Sequence, residues 1–340
     1  MNKVRLLILG LVVVLAVALV LPACAPKAAG PALNFKVSHQ WAEKDVRDRM
    51  ARAFGDMVTE RTNGDITFTY YPAKALFKPK EQWDAMRTGA LDMSVFPLSY
   101  ASGKVPELDI CLMPCVIPNF KVGCEWYKLP IGKRIDEIVA EEGVIDLVWA
   151  NMEGSFGAKP HQIKVPGDVS GLKMRAAGKM FEYMLKDAGA AITSMPSSEA
   201  YHALATGVLD GMNTSSASFV SYRLYEQLSY INVPENYAIW YMSENLCISE
   251  KSWEKLSKQQ KEIFLEVAKE MHETWVPSEF GADTKNLIEA YDKAGVEMYW
   301  MTKDDWEAWR VFAEGSSWKA FAESAPAGKE LLDLAMAAAE

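Results

Sequence analysis

Between residues 33 and 213 the apolar pattern switches repeatedly between a period of two and a period near 3.6. Phe35-Lys36-Val37 alternates as a strand does. Over 44–62, Met50, Ala53, Phe54, Met57 and Val58 fall at i, i+3, i+4, i+7 and i+8, the stripe of an amphipathic helix. Asn63-Gly64 stops that helix, since both residues accept a left-handed cap. Ile66, Phe68 and Tyr70 alternate again. A short helix with Trp83 and Met86 ends at Gly89, and Leu91, Met93 and Val95 make the next strand. Strand and helix in alternation predict a parallel α/β layer. The pattern resumes at Val144–Ala150, an apolar run suited to a strand covered on both faces. It continues through a strand at Lys173–Ala176, a helix over 179–188, Ala190–Thr193, a helix over 198–205 and Val208–Asn213. Beyond 250 the chain reads as helical, over 250–275, 279–294, 303–323 and 327–339, with Val296, Met298 and Trp300 as a last strand.

The 340 residues are enough for two domains of roughly 100–200 residues each. No stretch rich in Pro, Gly or Ser follows residue 32, so several strands or helices should cross between the two α/β halves and leave a hinged cleft. The first lobe is expected over 33–152 plus about 241–280, and the second over 153–240 plus about 281–340.

The N-terminus reads as an address. Lys3 and Arg5 precede a mostly apolar run from Leu6 to Leu21, 16 residues long. That is short of the roughly 20 that a permanent membrane helix needs, and it ends on small residues as a secretory signal does. Leu21-Pro22-Ala23-Cys24 resembles a bacterial lipobox. By that resemblance residues 1–23 are a lipoprotein signal peptide, Cys24 becomes the lipidated first residue, and 24–32 form a tether. Pro22 keeps an ordinary secretory signal open as the alternative. Both readings export the chain across the cytoplasmic membrane, to the periplasm.

Lys and Arg number 36 against 45 Asp and Glu, a net charge of −9. This argues against a nucleic-acid partner, which needs a basic footprint. The four histidines, His39, His161, His202 and His272, have no metal-ligand spacing. An exported chain permits disulfides. For Cys111, Cys115, Cys124 and Cys247 buried free thiols are expected, with a Cys115–Cys124 bridge as the alternative. Neither a nucleophile elbow, a P-loop, a zinc-protease helix nor a dinucleotide loop is present. The sequence therefore favours binding over turnover, with no cofactor.

Two stretches carry a resemblance. The first runs through Phe54, Val58, Glu60-Arg61-Thr62-Asn63-Gly64 and Ile66, then Tyr71-Pro72-Ala73, then Met86-Arg87 and Gly89-Ala90-Leu91-Asp92-Met93. The second runs through Pro166, Asp168, Gly171-Leu172-Lys173-Met174-Arg175, then Pro196, Glu199, Tyr201, Ala203-Leu204, Gly207 and Asp210-Gly211. Ser252-Trp253, Leu256 and Gln260 add a third, shorter match. In order and spacing they resemble the solute-binding proteins of TRAP (tripartite ATP-independent periplasmic) transporters, the DctP type, over essentially residues 33–340. The resemblance implies an α/β, two-lobed periplasmic-binding-protein-like clamshell with a helical C-terminal part. It also implies no enzymatic activity. The ligand, an organic-acid anion, would sit in the interlobe cleft and pass to membrane permease subunits driven by an ion gradient. Arg175 falls on the family's carboxylate-binding arginine, where a planar guanidinium can pair both carboxylate oxygens.

Other lining positions depart from the acid-binding members. Ser155 and Phe156 stand where many carry a second arginine, Ser197 stands for an aromatic, and Asn213 or Thr214 for an asparagine. The first lobe is expected to contribute Gln40, Trp41, Lys78, Phe96 and Tyr100. These fit a monocarboxylate with an apolar or hydroxylated body better than a dicarboxylate held by two arginines. Asp210-Gly211 and Glu199 read as structural. Two other readings stay open: an exported lyase or hydrolase acting on a small acid, and a sensory ligand-binding lipoprotein.

Overall fold

The computed structural model describes residues 32–339. The leader, Cys24 and the tether as far as residue 31 lie outside the described residues. Eleven strands form one continuous mixed sheet in two halves. In the first half β1 (Leu33–Ser38) runs parallel to β2 (Ile66–Tyr71) and β3 (Met93–Pro97), with Val37 opposite Met93. The helix Val46–Arg61 crosses between β1 and β2, packing Met50, Phe54 and Val58 against Phe35 and Ile66 in the core. Asn63 and Gly64 close it with φ of 51° and 84°, the left-handed values that the Asn-Gly pair supplies at low steric cost. In the second half β6 (Lys173–Ala176) runs parallel to β7 (Ala191–Ser194) and to β8 (Gly211–Ser215).

The expected all-parallel layer is interrupted where the halves join. Val144–Ala150 is not one strand. β4 (Val144–Val148) ends, the chain passes through Trp149 and Ala150, and β5 (Asn151–Ala158) continues into the second half. β10 (Trp240–Ser249) makes the same crossing in reverse. Trp240–Ser243 pair antiparallel with β5, and Glu244–Ile248 pair antiparallel with β3. Two neighbouring strand crossings therefore join the halves. Gly154 is required there, because a Cβ on it would lie 2.0 Å from the Thr214 carbonyl oxygen. On its outer edge β5 also pairs with β9 (Tyr230–Val233), which carries β11 (Glu297–Trp300) as a parallel neighbour.

The long C-terminal helices are segmented. Ser257 and Gln260 form a capping box that starts Lys258–Glu270 afresh, and a π-turn at Met271–Trp275 follows. A second π-turn, Glu314–Trp318, separates Lys303–Ala313 from Lys319–Ser324. Around it Ser316 Oγ donates to Asp187 of the second half at 2.6 Å, and Trp318 Nε1 donates to the Pro114 carbonyl of the first half at 2.8 Å. The last helix, Gly328–Ala337, lies on Pro130–Glu141 and on the 3-10 turns of Pro106–Leu112. The C-terminal segment thus straps both halves. Among the described residues no helix is long and apolar enough to cross a membrane.

All four described cysteines are free, so the alternative of a Cys115–Cys124 bridge is not realised. Burial pushes the thiols of Cys111, Cys115 and Cys247 well up, and that of Cys124 to about 12. The thiolate is the reactive form. Native protein should therefore react slowly with a thiol reagent and release four equivalents on denaturation, Cys24 aside. Rapid labelling of Cys111, Cys115 or Cys247 without denaturant would contradict this burial.

Candidate functional site

The site is built where the two halves meet beside the strand crossings. β6 carries Arg175 to its C-terminal end, the edge where open α/β sheets place ligands. Its side chain is 1% exposed. Nε donates to the Met195 carbonyl at 3.0 Å, and Nη1 donates to the Asn213 carbonyl at 2.5 Å. These two bonds fix the plane of the guanidinium. Burial pulls its pKa down, while the Tyr100 hydroxyl against it, Tyr222 and Glu244 pull the other way. An arginine nonetheless stays charged in a protein. Among the described residues no carboxylate is bonded to it.

Polar atoms on the segments of both halves that carry Tyr100, Arg47 and Asn213 are left over. From the first half come both side-chain amide atoms of Gln40, Nε1 of Trp41 and Oγ of Ser99. From the second come Nδ2 of Asn213 and Oγ of Ser216. All are buried without a partner among the described residues. Buried polar groups normally find hydrogen bonds, because leaving one unmade costs about 1–3 kcal/mol. Asn213 is held in place by its Oδ1, which accepts from the Ala177 amide at 3.1 Å.

The halves touch directly at this point. The Tyr222 hydroxyl donates to the Gln40 carbonyl at 3.4 Å, and the Ser197 amide donates to the Tyr100 hydroxyl at 3.4 Å. The strongest link is Arg47, at the start of the helix Val46–Arg61 and 0% exposed. Nε and Nη2 each donate to Asp45 at 2.7 Å, a bidentate pair. Nη1 donates to Glu244 Oε2 at 3.1 Å and to Ser215 Oγ at 3.0 Å, and Nη2 also reaches Ser218 Oγ at 3.2 Å. The Trp41 ring lies 4.4 Å beneath the guanidinium. Burial works against this charge, but Asp45 and Glu244 outweigh it and hold the pKa above the ordinary value. Burial raises Glu244 to about 7 despite both guanidiniums.

The structure brings Arg175, Tyr100, Gln40, Ser197 and Asn213 together, with Trp41 behind them under Arg47. It places the other expected residues elsewhere. Lys78 is 80% exposed, with its ammonium 3.8 Å from Glu81, because it caps a surface turn. Phe96 stacks on Trp83 at 5.4 Å and only backs Tyr100. Ser155 is committed to the Asn232 carbonyl at 2.5 Å. Phe156 packs on Trp309 at 4.9 Å in the core of the second half. Thr214 is register-paired with Ser155, and it is the neighbouring Asn213 whose carbonyl accepts from Arg175. Asp210 ties β6 to the chain before β8, accepting from the Lys173 amide at 2.9 Å, and Glu199 is exposed. Sequence reasoning missed Arg47, Ser99, Ser216, Tyr222 and Glu244. None of them left a local signal: Arg47 sits in Lys44-Asp45-Val46-Arg47-Asp48-Arg49, a stretch with the composition of a solvated helix start.

Residues 37–324 match the family described as bacterial extracellular solute-binding protein, family 7. A solute-binding protein of Albidiferax ferrireducens is 34% identical over 305 residues, covering 88% of this chain and 90% of that one. The C4-dicarboxylate-binding periplasmic protein DctP of Rhodobacter capsulatus is 25% identical, covering 71% and 72%. The crystal structure of a TRAP periplasmic solute-binding protein from Rhodoferax ferrireducens, with bound malonate, superposes with a TM-score of 0.87 at 34% identity. That match covers 89% of this chain and 98% of the other.

Proposed function

We infer from its membership of the bacterial extracellular solute-binding protein family 7, to which this chain belongs, that it captures a small organic-acid anion for a TRAP transporter. It is a binding protein, not an enzyme, and TRAP permease subunits are its partners. The observation that carries the ligand class is the buried Arg175, fixed by two main-chain carbonyls and with no carboxylate bonded to it among the described residues. Arg175 takes the carboxylate. Gln40, Tyr100, Ser197 and Asn213 are its immediate surroundings, and Ser99, Ser216 and Tyr222 join them.

Lobe I corresponds to 33–152 plus about 241–280 and lobe II to 153–240 plus about 281–340, with the C-terminal strap reaching back to lobe I. The hinge lies at 148–151 and 243–244, where β4 becomes β5 and β10 changes partners. The closed arrangement is favoured by a ligand only through contacts that both lobes make to it. Gln40 and Tyr100 on one side and Arg175 and Asn213 on the other supply such contacts.

A thermal-shift screen of the chain from Leu33 against mono- and dicarboxylates, sugar acids, aromatic acids and keto acids tests the reading. Saturation at about 100 Kd adds about 2.7 kcal/mol and raises the Tm by several degrees. A hit among neutral sugars or cations, with none among acids, would overturn it. The family is periplasmic. Lipid attachment at Cys24 is our finer reading, supported by Leu21-Pro22-Ala23-Cys24. It predicts a diacylglycerol-modified N-terminal peptide by mass spectrometry of the membrane fraction. An unmodified mature protein in the soluble fraction would exclude it.

A further inference from the structure

At the strand crossings the β ladder is interrupted. β4 pairs with β10 as far as Val148 opposite Leu246, and β5 resumes at Asn151 opposite Ser243. Trp149 and Ala150 lie between, both buried, and their amides turn to side chains. The Ala150 amide donates to Asn245 Oδ1 at 3.2 Å, and the Trp149 amide donates to His272 Nε2 at 2.8 Å. His272 comes from the π-turn Met271–Trp275, a helix distortion that often marks a functional position. Its ring lies flat on Tyr127, with centroids 4.1 Å apart and planes 18° apart. An imidazole that accepts at Nε2 is neutral and carries its hydrogen on Nδ1. Burial favours that neutral form.

Resting on the reading of a two-lobed binder that bends at these crossings, we propose that His272 is a positioning residue for ligand capture: it pins the crossing so that Glu244 and Arg47 can hold the second lobe against the first. A run of bonds connects the pin to the site. The carbonyl of Ala150, next to Trp149, accepts from the Glu244 amide at 2.8 Å. The Glu244 carboxylate accepts from Arg47 at 3.1 Å, and Arg47 donates across to Ser215 and Ser218. Ser215 ends β8, the strand on which the Asn213 carbonyl fixes Arg175. Such a run couples two places only where one of its elements has two arrangements. The crossing is that element, because domain closure needs a few linking residues to change their backbone angles. With the Trp149 and Ala150 amides bonded to side chains of the first lobe, the bend is confined to the residues beyond them. Without the acceptor on His272 the Trp149 amide has no partner and the crossing loses its fixed shape. The closed arrangement then loses population although every group that touches the ligand is intact.

Three variants separate the acceptor from the packing. His272→Phe keeps a ring on Tyr127 and removes the acceptor. His272→Gln sets an amide oxygen near the place of Nε2, and His272→Asn is too short to reach it. On ligand-free protein, hydrogen exchange reads the Trp149 amide and small-angle scattering reads the radius of gyration. Calorimetry with malonate, the anion held by a relative of this chain, reads affinity. His272→Phe and His272→Asn should exchange the Trp149 amide about tenfold faster, the size expected for one lost buried hydrogen bond, and bind malonate about tenfold more weakly. Their radius of gyration should be larger. His272→Gln should lie within about threefold of wild type in exchange and affinity, and match its radius. The thermal transition shows that each variant is folded, and should His272→Phe not fold, His272→Asn decides. Wild-type exchange and radius in a folded His272→Phe overturn the proposal. Faster exchange with unchanged radius and malonate affinity also overturns it, since His272 would then serve its own turn only, and so does a His272→Gln as impaired as His272→Phe. If wild type binds no malonate, exchange and radius decide the positioning role alone, whereas a wild type that binds no acid in the screen fails the carboxylate reading and leaves the pin to those two measurements.

Discussion

Replacing Arg175 with alanine should lower the affinity for the protein's carboxylate ligand by about 100-fold or more, because truncating one partner of a buried charge pair costs about 2–5 kcal/mol. The ligand's carboxylate would then be buried in the closed cleft without a cation. Arg175→Lys should recover only a small part. Lysine carries the charge, but it cannot bond the Met195 and Asn213 carbonyls and still present a planar fork to two oxygens. Loss of those two bonds also costs stability, about 1 kcal/mol each. Binding must therefore be measured well below the variant's own Tm, by calorimetry rather than by thermal shift alone. An Arg175→Ala protein that is folded and binds within about threefold of wild type would remove Arg175 from the role.

That prediction was legible in the residues, because Gly171, the short strand after it and Arg175 form a local unit. The turn at Gly171 leads into β6, and Arg175 follows four residues later, one before the strand ends. The amphipathic stripe of Met50, Phe54 and Val58 is local in the same sense. Arg47 is not. Lys44-Asp45-Val46-Arg47-Asp48-Arg49 has the composition of a solvated helix start. The side chain is buried by Ser215 and Glu244, which lie 168 and 197 residues further along the chain. β10 escaped for a related reason. Its centre, Ser243-Glu244-Asn245, breaks the apolar alternation of a strand because those side chains serve the hinge. The expectation for Ser155, Phe156 and Thr214 rests on the order and spacing of the resemblance, and that for Lys78 on its place in the first lobe. Which face each side chain takes depends on turn and register, and neither is encoded in a pattern.

Arg47→Ala should be the most destabilising single change near the site. It leaves the carboxyl groups of Asp45 and Glu244, 6% and 3% exposed, without their cation. Breaking a buried pair in this way costs about 3–5 kcal/mol, a large share of the 5–15 kcal/mol that typically separates folded from unfolded protein. The loss should depend on pH with a definite sign. Glu244 has a folded-state pKa of about 7 even beside Arg47, against an ordinary value near 4.5. Without Arg47 it rises further, since a raising environment has lost its main lowering neighbour. Over that interval the folded state binds more protons than the unfolded state, so stability falls as pH rises. Urea unfolding should show the larger deficit at pH 8 and a smaller one at pH 5, where Glu244 is protonated and neutral. An equal deficit at both pH values would show that Glu244 is not the uncompensated charge. Combining Arg47→Met with Asp45→Asn and Glu244→Gln should restore much of the stability, because neutral groups of similar volume replace a buried ion cluster at little cost. Ser215→Ala and Ser218→Ala act differently. Ser218→Ala removes one cross-lobe bond, worth about 1 kcal/mol, without stranding a charge, and should shift the population toward an open form, read as a larger radius of gyration in solution. Ser215→Ala also removes the N-cap of the helix Ser216–Ser221 and should lower the unfolding midpoint more.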